Sequence, residues 1–157
     1  MKSIALKLWL GIMMLVAVVL ILLWLFQIVF LEQFYTQMRI NDIKATGVKI
    51  VEFFEKGNQT EFENRLDEFA YNNNLTAEFV NLQHDTLYFS GEKGMGGQMP
   101  MMRNYIRNEA YNKVFAGQTV SISMTHPRFG SNFMLIGIPV KTDGDIQGGL
   151  FINLPLA

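Results

Sequence analysis

The sequence predicts an α+β domain, a five-stranded antiparallel sheet with helices, standing behind one membrane-spanning helix. Three observations carry this. The hydropathy is concentrated in the first thirty-one residues; helical periodicity then gives way to short alternating apolar segments; and Asp143-Gly144 separates the last two of these, a dipeptide suited to a two-residue hairpin turn.

Composition narrows the function classes. The chain has 157 residues, 50% hydrophobic and 17% charged, with net charge −1 and no cysteine. Thiolate metal sites and disulfides are excluded. No basic run exists to neutralise phosphates, so a nucleic-acid partner is not expected.

From Leu8 to Leu31 no side chain is charged, and Gln27 is the strongly polar one. As a helix this stretch is about 36 Å long against about 30 Å of hydrocarbon. A cleaved signal would have a shorter apolar core and a small-residue cleavage site, whereas Trp24, Phe26, Phe30, Phe34 and Tyr35 are bulky. The reading is an uncleaved anchor. Lys2 and Lys7 place residues 1–7 in the cytoplasm, 8–31 in the cell membrane and 32–157 outside it, although Arg39, Lys44 and Lys49 weaken the asymmetry.

After the span, helical spacing continues through Phe34, Met38, Val48, Val51 and Phe54 to a stop at Gly57, predicting one long helix over about 32–56, continuous with the anchor. Gly47 is a mild interruption. Thr60 and Glu63 have capping-box spacing and open a second helix that ends at Asn72, Asn73 and Asn74. Asn58-Gln59-Thr60 and Asn74-Leu75-Thr76 match the glycosylation pattern but are read as helix-terminus chemistry.

Thr76–Leu82 and Thr86–Ser90 form a hairpin. The stretch Gly91 to Met102, rich in Gly and Met, is a loop; Arg103–Ala116 is a helix with Met102, Ile106, Ala110 and Val114 on one stripe and Gly117 at its stop. Thr119–Met124 alternates as a half-buried strand. Asn132–Lys141, apolar on both faces, is central in the sheet, and Ile146–Leu154 follows, with Gly148 and Gly149 marking a bulge or a close approach. The helices are expected on one face of the sheet.

A short basic start, the anchor running into Leu23-Trp24-Leu25-Phe26-Gln27, the long outward helix, Ile136-Gly137-Ile138-Pro139-Val140 and the closing Gly148-to-Leu156 strand resemble the amino-terminal sensor region of bacterial membrane-bound sensor histidine kinases. The resemblance covers essentially the whole chain through loose motifs. It implies a PAS-like or single-Cache extracytoplasmic domain, a homodimer formed through the long helix, and a small-molecule or ion ligand. It also implies a second membrane helix, a HAMP linker, a phosphoacceptor-histidine helix pair and an ATP-binding domain outside these residues. ATP and Mg, and the response regulator as partner, belong to that kinase core, so no cofactor and no catalytic residue are expected here. The alternatives are a free-standing membrane-tethered binding protein, for a small ligand or a soft metal, and the input domain of a chemoreceptor.

No nucleophile-base spacing, H-E-x-x-H or Walker lysine motif is present. For a ligand, Arg103 and Arg107 stand i,i+4 and are candidate carboxylate or phosphate clamps, with Tyr88, Tyr105, His126 and Arg128 as further pocket candidates. Against this stands a solvated basic face, the commoner fate of Arg. Met95, Met99, Met101 and Met102 supply thioethers suited to Cu(I) or Ag(I); gap-filling methionines are the favoured reading. His84 and His126 are simplest as loop histidines, and His126 is also a candidate proton sensor.

Overall fold

The computed structural model describes residues 4–91, 102–125, 130 and 132–156; the side chains of 5, 29, 32 and 102–107 lie outside the described set. The chain divides into two compact units, Met1–Asn41 and Asp42–Ala157.

One helix, α1, spans Ile4–Glu55. In the first unit the described large apolar side chains between Leu8 and Leu31 are 46–69% exposed, from Val18 to Met14. This is the one helix among the described residues long and apolar enough to cross a membrane. Among the described residues nothing buries this surface, a pattern that fits a helix in lipid.

The second unit begins within α1 and continues through α2 (Gln59–Asn73), β1 (Thr76–Asn81), β2 (Thr86–Ser90), α3 (Met102–Phe115), β3 (Val120–Thr125), β4 (Asn132–Thr142) and β5 (Asp145–Leu156). The five strands form one sheet in the order β2-β1-β5-β4-β3, with every neighbouring pair antiparallel. The last strand is therefore the middle one. β4 lies between β5 and β3, as its two apolar faces require.

Local chemistry sets the boundaries. α1 stops before Gly57, whose φ of +77° is a left-handed exit. The cap of α2 differs from the capping-box expectation: Asn58, not Thr60, is the N-cap, its Oδ1 accepting from the Glu61 N–H at 3.2 Å. Thr60 then falls inside the first turn. At the other end Asn74 takes the left-handed conformation (φ 53°, ψ 48°), and the N–H of Leu75 donates to Ala70 O at 3.1 Å, closing the helix as a Schellman turn. Both Asn-x-Thr motifs thus sit at helix termini.

β1 ends one residue earlier than its apolar run suggests because Asn81 Oδ1 accepts from the backbone N–H groups of Gln83 (3.0 Å) and Asp85 (2.8 Å), pulling the chain into its turn. Between β4 and β5, Asp143 and Gly144 both adopt positive φ, 53° and 91°, the pair of values a type I′ turn needs.

The helices do not share one face of the sheet, which corrects the sequence expectation. Alternation along each strand sends Phe79, Ile138 and Ile152 to one side. There Phe79 meets Phe54 of α1 and Phe62 of α2 edge to face, with ring centroids 4.7 and 5.7 Å apart. Gly47 lies here too, and a Cβ on it would stand 2.6 Å from Ile138 Cδ1 and 3.0 Å from Ile152 Cδ1, so its lack of a side chain lets α1 approach. Val80, Leu135 and Phe151 face the other side and pack with Ala110, Tyr111 and Val114 of α3. A helix stripe states that one face is buried; which side of a sheet it covers is a non-local choice.

The glycine pair in β5 shows both expected features. Register shifts between Val140 and Lys141, opposite Gly148 and Ile146. A Cβ at Gly148 would lie 2.2 Å from the Val80 carbonyl oxygen, a contact that only glycine avoids. The Lys141 N–H donates to Glu55 Oε1 at 3.2 Å, tying the end of α1 to β4.

Candidate functional site

The α3 side of the sheet is where chemistry gathers. Its floor is Val80, Leu135 and Phe151, its roof Tyr111 and Val114, and Ile122, Met124 and Phe115 are partly buried around it. Tyr111 stands edge-on to Phe151 with centroids 4.6 Å apart and stacks against Phe115 at 5.6 Å.

One polar ring reaches this aromatic wall, and one buried carboxylate lies on the strand beside it. His84, in the β1–β2 turn with φ +69°, places its ring 4.9 Å from Tyr111 and 5.6 Å from Phe115. The left-handed conformation is uncommon for a side chain of that size and aims the imidazole back over α3. Glu78 is 7% exposed. It pairs in register with Phe151 and shares Val80's side of β1, since Phe79 between them faces the other way. A carboxylate this deep is rare unless it has partners or a task.

The sequence did not single out His84, Glu78 or Tyr111 for this site. Glu78 left a signal, as the one charge within Thr76-Ala77-Glu78-Phe79-Val80.

The predicted residues are distributed as follows. Arg103, Tyr105 and Arg107 are on α3, the helix that roofs this face, with side chains outside the described set. His126 and Arg128 lie outside the described residues, as do Met95, Met99 and Met101; Met102 opens α3, its side chain also undescribed. Tyr88 is on the opposite face. Paired with Phe79, it donates its hydroxyl to Asp67 Oδ2 of α2 at 2.8 Å, and Ser90 Oγ donates to Leu66 O at 3.4 Å, so the edge strand β2 is pinned to α2. Burial, then the Asp67 carboxylate, pushes the Tyr88 phenol up to about 12.

Two open clefts lie on the surface of the described residues. One, of about 430 Å³, lies at the turn end of the sheet between Phe54, Leu87, Thr142 and Gln147. The other, of about 410 Å³, lies between Asp67, Tyr71, Asn74 and Gly91. Among the described residues no group of three or more His, Asp or Glu could hold a metal ion. The α3 face thus consists of a packed apolar cluster with the His84 ring against its aromatic edge and the buried Glu78 in register with Phe151.

Against known proteins, the chain is similar over nearly all its length to sensor protein SrrB of Staphylococcus aureus, 27% identical over 160 residues, 97% of this chain. It spans 27% of that relative's length. Among solved structures, the ligand-binding domain of the Campylobacter jejuni chemoreceptor Tlp3 in complex with L-norvaline superimposes with a TM-score of 0.55 at 11% identity, over 79% of this chain and 53% of that one. The sensory domain of the same receptor with isoleucine bound gives 0.54 at 10%, over 79% and 54%. The fold is that of a Cache/PAS-like sensor domain. No protein-family model matches the sequence.

Proposed function

We infer that this chain is the membrane-anchored input region of a two-component sensor histidine kinase, with its N-terminus in the cytoplasm and its Cache/PAS-like domain outside. The observation that carries the reading is similarity to a sensor protein across 97% of the chain, anchor included, joined to a sensor-domain fold. The domain works as a homodimer. Its ligand, a small molecule or ion, binds at the rim of the α3 face beside His84 and the partly buried Phe115, with Arg103 and Arg107 of α3 as anion clamps. Phosphotransfer with ATP and Mg, and transfer to a response regulator, belong to the kinase core that continues from this region.

Binding changes signalling only through a difference in affinity between two arrangements of the domain. β5 connects the two sides of the sheet: Phe151 faces the ligand side, while its neighbour Ile152 faces Gly47 of α1. A small displacement of that strand is the expected first step of the relay.

The test uses the native host. Antibody raised against residues 42–157 should capture from its membranes a polypeptide several times this length that takes up the γ-phosphate of ATP in an acid-labile, alkali-stable linkage. A captured polypeptide of this length that takes up none would establish a tethered binder instead. Because the chain has no cysteine, Glu109→Cys reports orientation: labelling by a membrane-impermeant maleimide in intact cells is expected, and labelling only after permeabilisation overturns the topology.

A further inference from the structure

Two side-chain amides in α1, Gln27 and Asn41, are two heptads apart and fall on one stripe of the helix together with Trp24, Leu31, Phe34 and Met38. All six are exposed; Trp24 is 63% exposed, Leu31 49%, Phe34 65% and Met38 56%.

Their surroundings make that exposure costly. With Leu8–Leu31 centred in the hydrocarbon, Gln27 lies roughly 4 Å inside its edge, where an amide needs a hydrogen-bond partner. Phe34 and Met38 lie beyond the edge, where apolar side chains need cover. The charged neighbours Glu32 and Arg39 are both off the stripe, so a second helix approaching it brings no like charges together.

One partner fits all of this, a second copy of the same chain. Two copies inserted by the same signals have the same orientation, so equal positions face each other whichever way the domain points. A side-chain amide is both donor and acceptor, hence complementary to itself. We propose that Gln27 and Asn41 set the register of a parallel two-helix seam, each pairing with the same residue of a second copy, with Trp24, Leu31, Phe34 and Met38 packed between them. This rests on the homodimer reading above and adds to it the contact face and the residues that fix its register.

The test is a cysteine scan of the full chain in its membrane, made clean by the absence of native cysteine. Single cysteines from Trp24 to Asn41 are oxidised and the crosslinked dimer is measured. Yields should peak at positions 24, 27, 31, 34, 38 and 41, a period of about 3.5, with minima at Glu32, Gln33, Thr36 and Arg39. In lipid, Gln27→Leu should raise the dimer dissociation constant about 3- to 20-fold, the range of single interhelical hydrogen bonds in membranes, and Gln27→Asn should recover part of the loss. A crosslinking maximum on another face of α1 overturns the seam and leaves the homodimer standing. No crosslink at any position, with only monomer in the membrane, overturns both. If Gln27→Leu leaves the dissociation constant unchanged, the amide turns toward the headgroups and has no register role.

Discussion

Replacing Gly148 by alanine should cost far more than replacing Gly47 by alanine, although both are buried glycines whose added Cβ meets a neighbour. At Gly148 the obstacle is the carbonyl oxygen of Val80, 2.2 Å away. Carbon normally stays about 3.3 Å or more from such an oxygen, so β1 must retreat by roughly 1 Å. That oxygen is part of the β1–β5 ladder, where Val80 pairs with Gly149 and Asn81 with Gly148, and the retreat loosens hydrogen bonds as well as packing. Overpacking alone costs about 1–3 kcal/mol, and the weakened ladder puts Gly148→Ala at about 3 kcal/mol. At Gly47 the obstacles are the terminal Cδ1 atoms of Ile138 and Ile152, at 2.6 and 3.0 Å, which rotate aside. Alanine there also gains about 1 kcal/mol of helix propensity, so the net change should stay within about 1 kcal/mol. Neither glycine has a positive φ, so backbone conformation does not confuse the comparison. Tryptophan fluorescence would miss the effect, because Trp9 and Trp24 both lie in the first unit. Amide hydrogen exchange over β1 in the full chain is the suitable assay. Gly148→Ala should speed exchange of the most protected β1 amides about 100-fold, Gly47→Ala by less than about fivefold. Equal effects would refute the close approach of β1 to β5.

Tyr88→Phe should cost about 1 kcal/mol by removing the hydroxyl's bond to Asp67. The raised phenol adds a sign: the folded form holds its proton up to about 12 while the unfolded form releases it near 10, so this contribution is full below pH 10 and disappears as pH rises through about 12. Alkaline titration of unfolding should show a drop in that window for the native chain and a smaller one for Tyr88→Phe; identical profiles would count against the pair. Phe151→Ala should cost about 3–5 kcal/mol, because Phe151 is 1% exposed and anchors the cluster under α3. Thermal unfolding followed by near-ultraviolet circular dichroism of the tyrosines checks it, and a loss under about 1 kcal/mol would show that α3 does not rest on this ring.

What could be read from the sequence was the local part. Asp143-Gly144 specifies its turn through two adjacent backbone angles, and Val120, Ile122 and Met124 declare one face of β3 by alternation alone. The terminus of α2 shows the limit of that reading: Thr60 and Glu63 have the right spacing, yet Asn58, a better cap than Thr, takes the position and accepts from the Glu61 N–H. The side of the sheet that α3 covers was beyond reach, since the stripe of Ala110 and Val114 is equally satisfied by either face. The site suffered for the same reason. Tyr88 and Tyr105 look alike in sequence, but the pleat sends Tyr88 to α2, whereas Tyr105 belongs to the helix on the other side. His84 meets Tyr111 and Phe115 only after β1 and β2 have paired and α3 has docked, contacts that no local pattern encodes.

The two-sided sheet also limits what a ligand can do. Phe151 and Ile152 are adjacent on the central strand, one packed under α3 and the other under Gly47 of α1, so a movement of β5 along the sheet normal is felt on both sides at once. Such close-packed layers shift between discrete arrangements instead of deforming smoothly. Driving such a pair of arrangements from 1:99 to 99:1 takes about 5.5 kcal/mol of differential binding, comparable to the whole packing contribution of a residue like Phe151. A ligand that merely fills space beside Tyr111 and Phe115 supplies the same contacts in both arrangements and leaves their ratio unchanged however tightly it binds. On the proposed reading the signal comes from ligand contacts that differ with the position of β5, and not from contacts that both arrangements share.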